Sequence, residues 1–270
     1  MTGTTVLNVA ATSAATRALG PGVRAVVWVQ GCPFDCPGCL APDWIPDRSA
    51  RRVEPAKLAA ELLAGAQRLD GLTLSGGEPM AQAEGLAALV RTMRAAAAAR
   101  WQRPFTVICF TGFRLERLRR DPPSAGVCEL LAQVDVLIDG RYVAALDDGV
   151  GLRGSANQRV HHLTDGLRDA GFDFDAGPRR MEIRVGDGST QLIGVPPRGA
   201  LATVDAVVAA ATARTAAGTH GAAGTHGAAG TGGTAGTGGT ARTTGNATAA
   251  GATATGTPQD APGTTGTVGR

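Results

Sequence analysis

"VRAVVWVQGCPFDCPGC", residues 23–39, decides how this sequence folds. Residues 23–30 are an apolar, β-branched run of strand length, and three cysteines follow at once, at 32, 36 and 39. The spacing is C-x3-C-x2-C, and only Cys109 and Cys128 occur elsewhere in the 270 residues. An odd cysteine count with three clustered argues for metal or redox chemistry over a disulfide framework.

Working outward, TVLNVA near the start reads as a strand, and RALGPG at 17–22 as the turn before the strand at 23–30. Residues 54–69, EPAKLAAELLAGAQRL, place Pro55 at a first helical position and Leu58, Leu62, Leu63 and Leu69 near one face, which predicts a helix. LTLS at 72–75 is a strand that ends in Gly76 and Gly77; a helix is expected over 80–100 and a strand over 105–110. Helices are expected at 114–120 and 126–133, and a buried strand at 134–139. Strands alternating with helices imply βαβ units, right-handed crossovers and a mainly parallel sheet, with chemistry at the strands' C-terminal ends. The cysteines, Ser75 to Pro79, Thr111 with Gly112, and Asp139 with Gly140 all follow such ends, so four loops are expected on one rim. Beyond them, 181–196 reads as a hairpin around Gly-Asp-Gly and 201–213 as a last amphipathic helix.

From about 209 to 270 the sequence is almost entirely Ala, Gly and Thr, and AAGTHG at 216–221 recurs at 222–227. Such a segment buries too little apolar surface to offset an ordering entropy of about 1–2 kcal/mol per residue. It is expected to be disordered, and His220 and His226 are read as products of the repeat. The folded part is therefore 1–208, one domain with a substantial core. The net charge is +3, Lys57 is the only lysine, and the arginines are scattered, so no footprint for nucleic acid is present. The N-terminus lacks a basic segment followed by an apolar one, and no run is long enough to cross a membrane, so a cytoplasmic protein is expected.

Structural zinc is closed by four Cys or His ligands, and here the nearest histidines, His161 and His162, lie far along the chain. Tightly spaced thiolates also hold iron-sulfur clusters, where four irons usually receive four cysteines. Three cysteines leave one iron open to a substrate. Cys109, in a strand, and Cys128, in a helix, read as small hydrophobes and not as a fourth ligand.

On these residues the sequence resembles the radical S-adenosylmethionine enzymes, whose hallmark is C-x3-C-x2-C followed by a Gly-Gly-Glu-type motif, here SGGEP at 75–79. RALGPG, WVQGCPFDCPGC, LTLSGGEP, FTGF, DVLIDG and LRGSANQRV at 152–160, in that order, narrow the likeness to the small activating proteins of anaerobic ribonucleotide reductase. It runs from about residue 5 to 160 and more weakly to 200. One position departs from the broad superfamily: the residue before the third cysteine, often aromatic and covering the adenine, is Gly38, as it tends to be in the activating group.

The resemblance implies an α/β fold, a partial (β/α) barrel with a mainly parallel sheet, in a catalytic domain of residues 1–208 ahead of the tail at 209–270. It implies that Cys32, Cys36 and Cys39 hold a 4Fe-4S cluster whose open iron is chelated by the amino and carboxylate groups of S-adenosylmethionine. Gly76 and Gly77 would let the backbone approach that ligand, and Glu78 would accept a hydrogen bond from its ammonium. Thr111 and Asp139 are implied ribose or methionine contacts, Arg153 a partner of the carboxylate, and Asn157 a contact to the cofactor's backbone or a substrate chain. Each has a plainer reading: Glu78 as a helix N-terminal carboxylate, Asp139 as a turn residue before Gly140, Ser155 and Asn157 as a cap. Trp28 and Trp44 bracket the cysteine loop and read as packing shields.

The implied reaction is one-electron cleavage of S-adenosylmethionine to methionine and a 5'-deoxyadenosyl radical, which abstracts hydrogen from a glycine of a partner protein. The implied electron donor is a reduced flavodoxin- or ferredoxin-like protein; no nucleic acid or membrane partner is expected. Two alternatives remain at this point: the same chemistry on a peptide or small metabolite, and a non-catalytic metal-binding module tethered by its tail.

Overall fold

The computed structural model describes residues 5–186, 189–204, 206–207 and 209–210. In chain order its elements are β1 (Leu7–Thr16), β2 (Arg24–Val29), β3 (Arg51–Val53), α1 (Pro55–Ala64), β4 (Gly71–Gly76), α2 (Ala83–Trp101) and β5 (Thr106–Thr111). There follow α3 (Leu115–Arg120), α4 (Val127–Leu131), β6 (Val136–Asp139), β7 (Arg159–His162), β8 (Met181–Gly186) and β9 (Ser189–Gly194). The segment from Ala200 is helical where it is described, and the tail expected to be disordered lies, past residue 210, outside the described residues.

Seven strands form one mixed sheet in the order β3-β1-β2-β4-β5-β6-β7, and β8 pairs with β9 apart from it. The four central strands, β2, β4, β5 and β6, are mutually parallel. The flanking pairs are antiparallel: β1 with β2 and β3 on one side, β7 with β6 on the other. The expectation of a mainly parallel sheet thus holds for its centre, and β3 and β7 are its edges.

Every residue of β2 is buried because successive side chains enter opposite cores. Ala25, Val27 and Val29 pack with Leu72, Leu74, Val107 and Leu137 against Leu58 and Leu62 of α1 and Leu86, Leu89, Val90 and Met93 of α2. Burying each of these large aliphatic side chains is worth roughly 1.5–3 kcal/mol. Val26 and Trp28 face the other way, with Ile108, Val136 and Ile138, onto Leu19, Leu152, Phe174, Ile193 and Val195. No helix of α1–α4 shares that second core; loops and the β8–β9 region cover it.

Arg24 also lies on that second face and is fully buried. Its guanidinium donates to the Thr73 hydroxyl at 2.8 Å, the Leu72 carbonyl at 2.8 Å, and the Thr106 hydroxyl and carbonyl at 3.0 and 2.9 Å. These bonds tie β2, β4 and β5 together at their N-terminal ends. Burial, partly offset by Asp135 and Asp70, brings its pKa down to about 9. A Cβ on Gly71 would lie 2.6 Å from Arg24 Nη1 and 2.2 Å from the Thr106 carbonyl oxygen, so this latch needs glycine there.

Candidate functional site

At the opposite, C-terminal ends of the parallel strands, on the face that α1–α4 leave uncovered, lies a cavity of about 260 Å³. That is near the lower end of the size of small-molecule sites. Its wall holds Cys32, Cys36 and Cys39 from the loop after β2, Ser75 to Glu78 at the end of β4, Thr111 and Gly112 at the end of β5, and Gly140 to Tyr142 after β6. The four loops expected on one rim do converge.

The cysteine loop is shaped by its own backbone. Cys39 N–H donates to the Cys36 carbonyl at 3.0 Å across Pro37 and Gly38, and Gly38 takes φ +75°. Proline then glycine at the two central positions is what a type II turn asks for, so the turn itself requires Gly38. Gly31 and Cys32 N–H donate to the carbonyls of Trp44 and Ile45, which folds the chain after the cysteines back beneath them. Trp44 and Trp28 pack at 5.7 Å between ring centroids, and both line the cavity.

All three thiols are half-buried. Burial pushes Cys32 up to about 11, and the negative charges of Glu78, Cys36 and Cys39 add to the rise; burial also raises Cys39, with Cys36 and Asp35 adding. Cys32 and Cys39, whose ionisation is opposed by burial and by neighbouring negative charge, are thiols that a cation would stabilise as thiolates. Among the described residues no three His, Cys, Asp or Glu side chains converge on the position of a single ion. A cluster, with a different iron under each sulfur, asks for no such convergence. Three sulfurs on one loop, at the edge of a cavity and with repelling charges, therefore fit the donor set of a 4Fe-4S group with one iron left to a ligand.

The glycine pair also serves the packing of the rim itself. A Cβ on Gly76 would lie 2.4 Å from Val29 N, and one on Gly77 would lie 2.2 Å from the Gly31 carbonyl oxygen. The missing side chains thus let the loop after β4 press against the cysteine loop's own backbone, where Gly77 and Glu78 N–H donate to the carbonyls of Val29 and Gly31 at 2.8 and 2.9 Å. Both glycines also line the cavity.

Glu78 is buried, and both its oxygens are engaged: Oε1 accepts from Met80 N–H at 2.9 Å and the Thr111 hydroxyl at 2.8 Å, Oε2 from Gly112 N–H at 2.8 Å. The plainer reading as a helix N-terminal carboxylate describes the Met80 bond, at the start of a short 3-10 turn, Pro79–Gln82. The other two bonds tie the loop after β4 to the loop after β5. Burial drives its pKa up to about 7 against the pull of these bonds. Thr111 sits in the same cluster and accepts from Phe113 N–H at 3.1 Å.

Three other predicted residues are not in the wall of the cavity. Asp139 is fully buried but turned into a knot of cations: it accepts from Arg114 at 2.9 Å, Leu115 N–H at 2.7 Å and Arg159 at 3.1 Å, and contacts His161 at 3.0 Å. Burial would raise its pKa, but the bonds from Arg159, Leu115 and Arg114 together hold it below the usual range. Arg153 pairs with Asp148 at 2.8 Å and donates to the Ala156 carbonyl at 3.1 Å. Asn157 accepts from Ser155 at 2.8 Å and donates to the Arg141 carbonyl at 2.8 Å. These contacts brace the loop between β6 and β7. Cys109 is buried in the core and Cys128 is exposed, and neither lines the cavity.

A family model described as a 4Fe-4S single cluster domain matches residues 18–161, over half of the sequence. The chain belongs to the 4Fe-4S single cluster domain family. Within it, this family member is similar to proteins named anaerobic ribonucleoside-triphosphate reductase-activating protein. The one from Salmonella typhi is 31% identical over 156 residues, 53% of this chain and 91% of that protein. The one from Vibrio cholerae is 35% identical over 150 residues, 54% and 91%. The one from Enterobacteria phage T4 is 32% identical over 152 residues, 55% and 89%. The single-cluster match spans the cysteine loop and all four rim loops and stops before β8 and β9. Yet Met181, Gln191, Leu192 and Val195 complete the wall of the cavity.

Sequence reasoning also missed Phe34, Arg141, Tyr142 and Gln158, which all line it. Gln158 clamps two loops, accepting from Gly154 N–H at 2.7 Å and donating to the Gly140 carbonyl at 2.7 Å. The available signals were the place of Phe34 between Cys32 and Cys36, of Arg141 and Tyr142 directly after DVLIDG, and of Gln158 within LRGSANQRV.

Proposed function

We propose that this chain is a radical S-adenosylmethionine enzyme of the glycyl-radical-activating type, with residues 1–208 as its catalytic domain and the open, one-sided sheet as a partial (β/α) barrel. The observation that carries the reading is the placement of Cys32, Cys36 and Cys39 on the wall of a cavity built from four strand-end loops. The relatives' names supply the substrate class: a reductase that such proteins activate.

In this reading the three thiols bind as thiolates, so loading the cluster releases protons and is favoured as pH rises towards the raised pKa values of Cys32 and Cys39. The bound group supplies one-electron cleavage of the carbon–sulfur bond of S-adenosylmethionine, giving a 5'-deoxyadenosyl radical that takes hydrogen from a partner glycine. The chain's own part is positioning and exclusion. Glu78 holds the loops after β4 and β5 in register with the cysteine loop, and Thr111 steadies Glu78. The Trp28–Trp44 pair and the β8–β9 wall keep water from one side of the cavity. A reduced flavodoxin- or ferredoxin-like protein is the proposed electron donor.

The test is product analysis. Anaerobically reconstituted protein given reductant and S-adenosylmethionine should release 5'-deoxyadenosine, and added glycyl-radical reductase should acquire a glycyl radical signal by electron paramagnetic resonance. A fully assembled cluster that cleaves no S-adenosylmethionine contradicts the reading.

A further inference from the structure

The β8–β9 hairpin stands outside the single-cluster match, yet its base is built into the site. Its register pairs Met181 with Gly194, Ile183 with Leu192 and Val185 with Thr190, so these side chains share one face, and none of them is charged. At the base of that face Met181 and Leu192 line the cavity. Further out, Ile183 is 50% exposed and Val185 80%. The opposite face is held to the body of the protein. Ile193 is buried in the second core, Glu182 accepts from Arg17 N–H at 2.7 Å, and Arg184 donates to the Ser13 hydroxyl at 2.9 Å. The hairpin is thus anchored by one face and carries on the other an apolar stripe that runs from the cavity wall into solvent.

The stripe also has an open edge. Among the described residues β8 and β9 pair with each other and with no further strand, and β8 is the more exposed of the two. An edge strand is a template for one more strand, and chains that have no use for such an edge blunt it with charge or proline. The charges of β8, Glu182 and Arg184, are instead spent on the anchored face. An added strand would take main-chain hydrogen bonds from β8 and set its alternate apolar side chains beside Ile183 and Val185.

This chain's own residues past 210 suit the stripe poorly, since Val268 is their only large aliphatic residue. A partner suits it better. The reactive position of a substrate glycine lies on the main chain, so it can reach the cavity only as part of a length of polypeptide, and β8 leads from solvent to the cavity wall. We propose that the hairpin docks the protein substrate: an extended segment of the partner, apolar at alternate positions beside its glycine, adds as a strand to the edge of β8. The proposal rests on the functional reading above and gives it a means of selecting its partner.

The experiment uses anaerobically reconstituted full-length protein and purified anaerobic ribonucleoside-triphosphate reductase as the probe. Amide hydrogen exchange over residues 181–186 should slow when the reductase is added at saturation. By biolayer interferometry, Val185→Lys and Ile183→Thr should each weaken reductase binding about tenfold, the loss of one buried aliphatic contact, with iron and sulfide content matching wild type. Unchanged affinity in both variants, or exchange in β8 that ignores the reductase, overturns the proposal. Exchange in β8 that is slow in the free protein and quickens on removal of residues 211–270, or on dilution, overturns it too, by assigning the edge to the tail or to a second copy. Protein that gives the reductase its glycyl radical while β8 stays unprotected refutes the docking and leaves the functional reading standing. Loaded protein that neither cleaves S-adenosylmethionine nor binds the reductase refutes both.

Discussion

Replacing Glu78 by Gln tests how the rim is held together. The carboxylate receives three hydrogen bonds, from Met80 N–H and the Thr111 hydroxyl on one oxygen and from Gly112 N–H on the other. Glutamine offers one acceptor oxygen; whichever way the amide is turned, its NH2 faces a backbone N–H. One buried donor is left unsatisfied, at a cost of about 1–3 kcal/mol. The pH dependence is sharper still. Burial raises the Glu78 pKa from 4.5 to about 7, so folding takes up a proton. The stabilisation linked to that proton is fully present below pH 4.5 and is lost as pH rises through about 7. A rise of this size corresponds to about 3 kcal/mol. Protonated Glu78 keeps its place because its O–H can donate to the Thr111 oxygen. Urea denaturation of metal-free protein and of Glu78→Gln from pH 4.5 to 8 should therefore show the wild-type advantage shrinking by about 3 kcal/mol as pH rises. Metal-free protein is used so that no cluster charge adds to the burial effect. A difference between the two proteins that is flat with pH would refute the reasoning.

Other expectations follow from particular contacts. Arg24→Met strips donors from the carbonyls of Leu72 and Thr106 in a dry interior, and should cost about 3 kcal/mol or more by urea denaturation. Gly77→Ala drives a methyl into the Gly31 carbonyl, and should lower iron retention after gel filtration while costing about 1–3 kcal/mol of stability. Asp139→Asn removes the anion that holds Arg114, Arg159 and His161; hydrogen exchange in β7 should speed up while iron binding persists. Because the Asp139 pKa is held low, its contribution in wild type is present above the usual carboxylate range and is lost only as pH falls into acid.

The parts of this architecture with strong local signals were legible. Continuous apolar runs marked β2, β4, β5 and β6, since a strand buried on both faces needs no polar alternation. The cysteine spacing and the strand-end glycines marked the rim. Helix α1 stops at Ala64 and not at 69: Gly65 caps it, its N–H donating to the Glu61 carbonyl, and the missing side chain leaves room for Ala14, whose Cβ lies 2.6 Å from where a Cβ on Gly65 would be, a contact between elements distant in sequence. Strand β7, Arg-Val-His-His, was invisible: its side chains suit water, and it is a strand because Asp139 and the backbone of β6 hold it. Edge strands are often short and charged, so they carry little apolar pattern. The roles of Asp139 and Arg153 went unread for a related reason. A charged residue in a motif announces that charge matters, but its partner, here Arg159 or Asp148, is known only once the loops are folded.

The proposed function stands on three thiolates of one loop holding a cluster at the mouth of this cavity. Its most direct test is iron and acid-labile sulfide analysis of anaerobically reconstituted wild type beside Cys32→Ala, Cys36→Ala and Cys39→Ala. Close to four irons and four sulfides per wild-type chain are expected, as the family's 4Fe-4S designation requires, with a large loss of both in each variant. Stoichiometric zinc without sulfide in the wild type, or a cluster that survives removal of any of the three sulfurs, would contradict it.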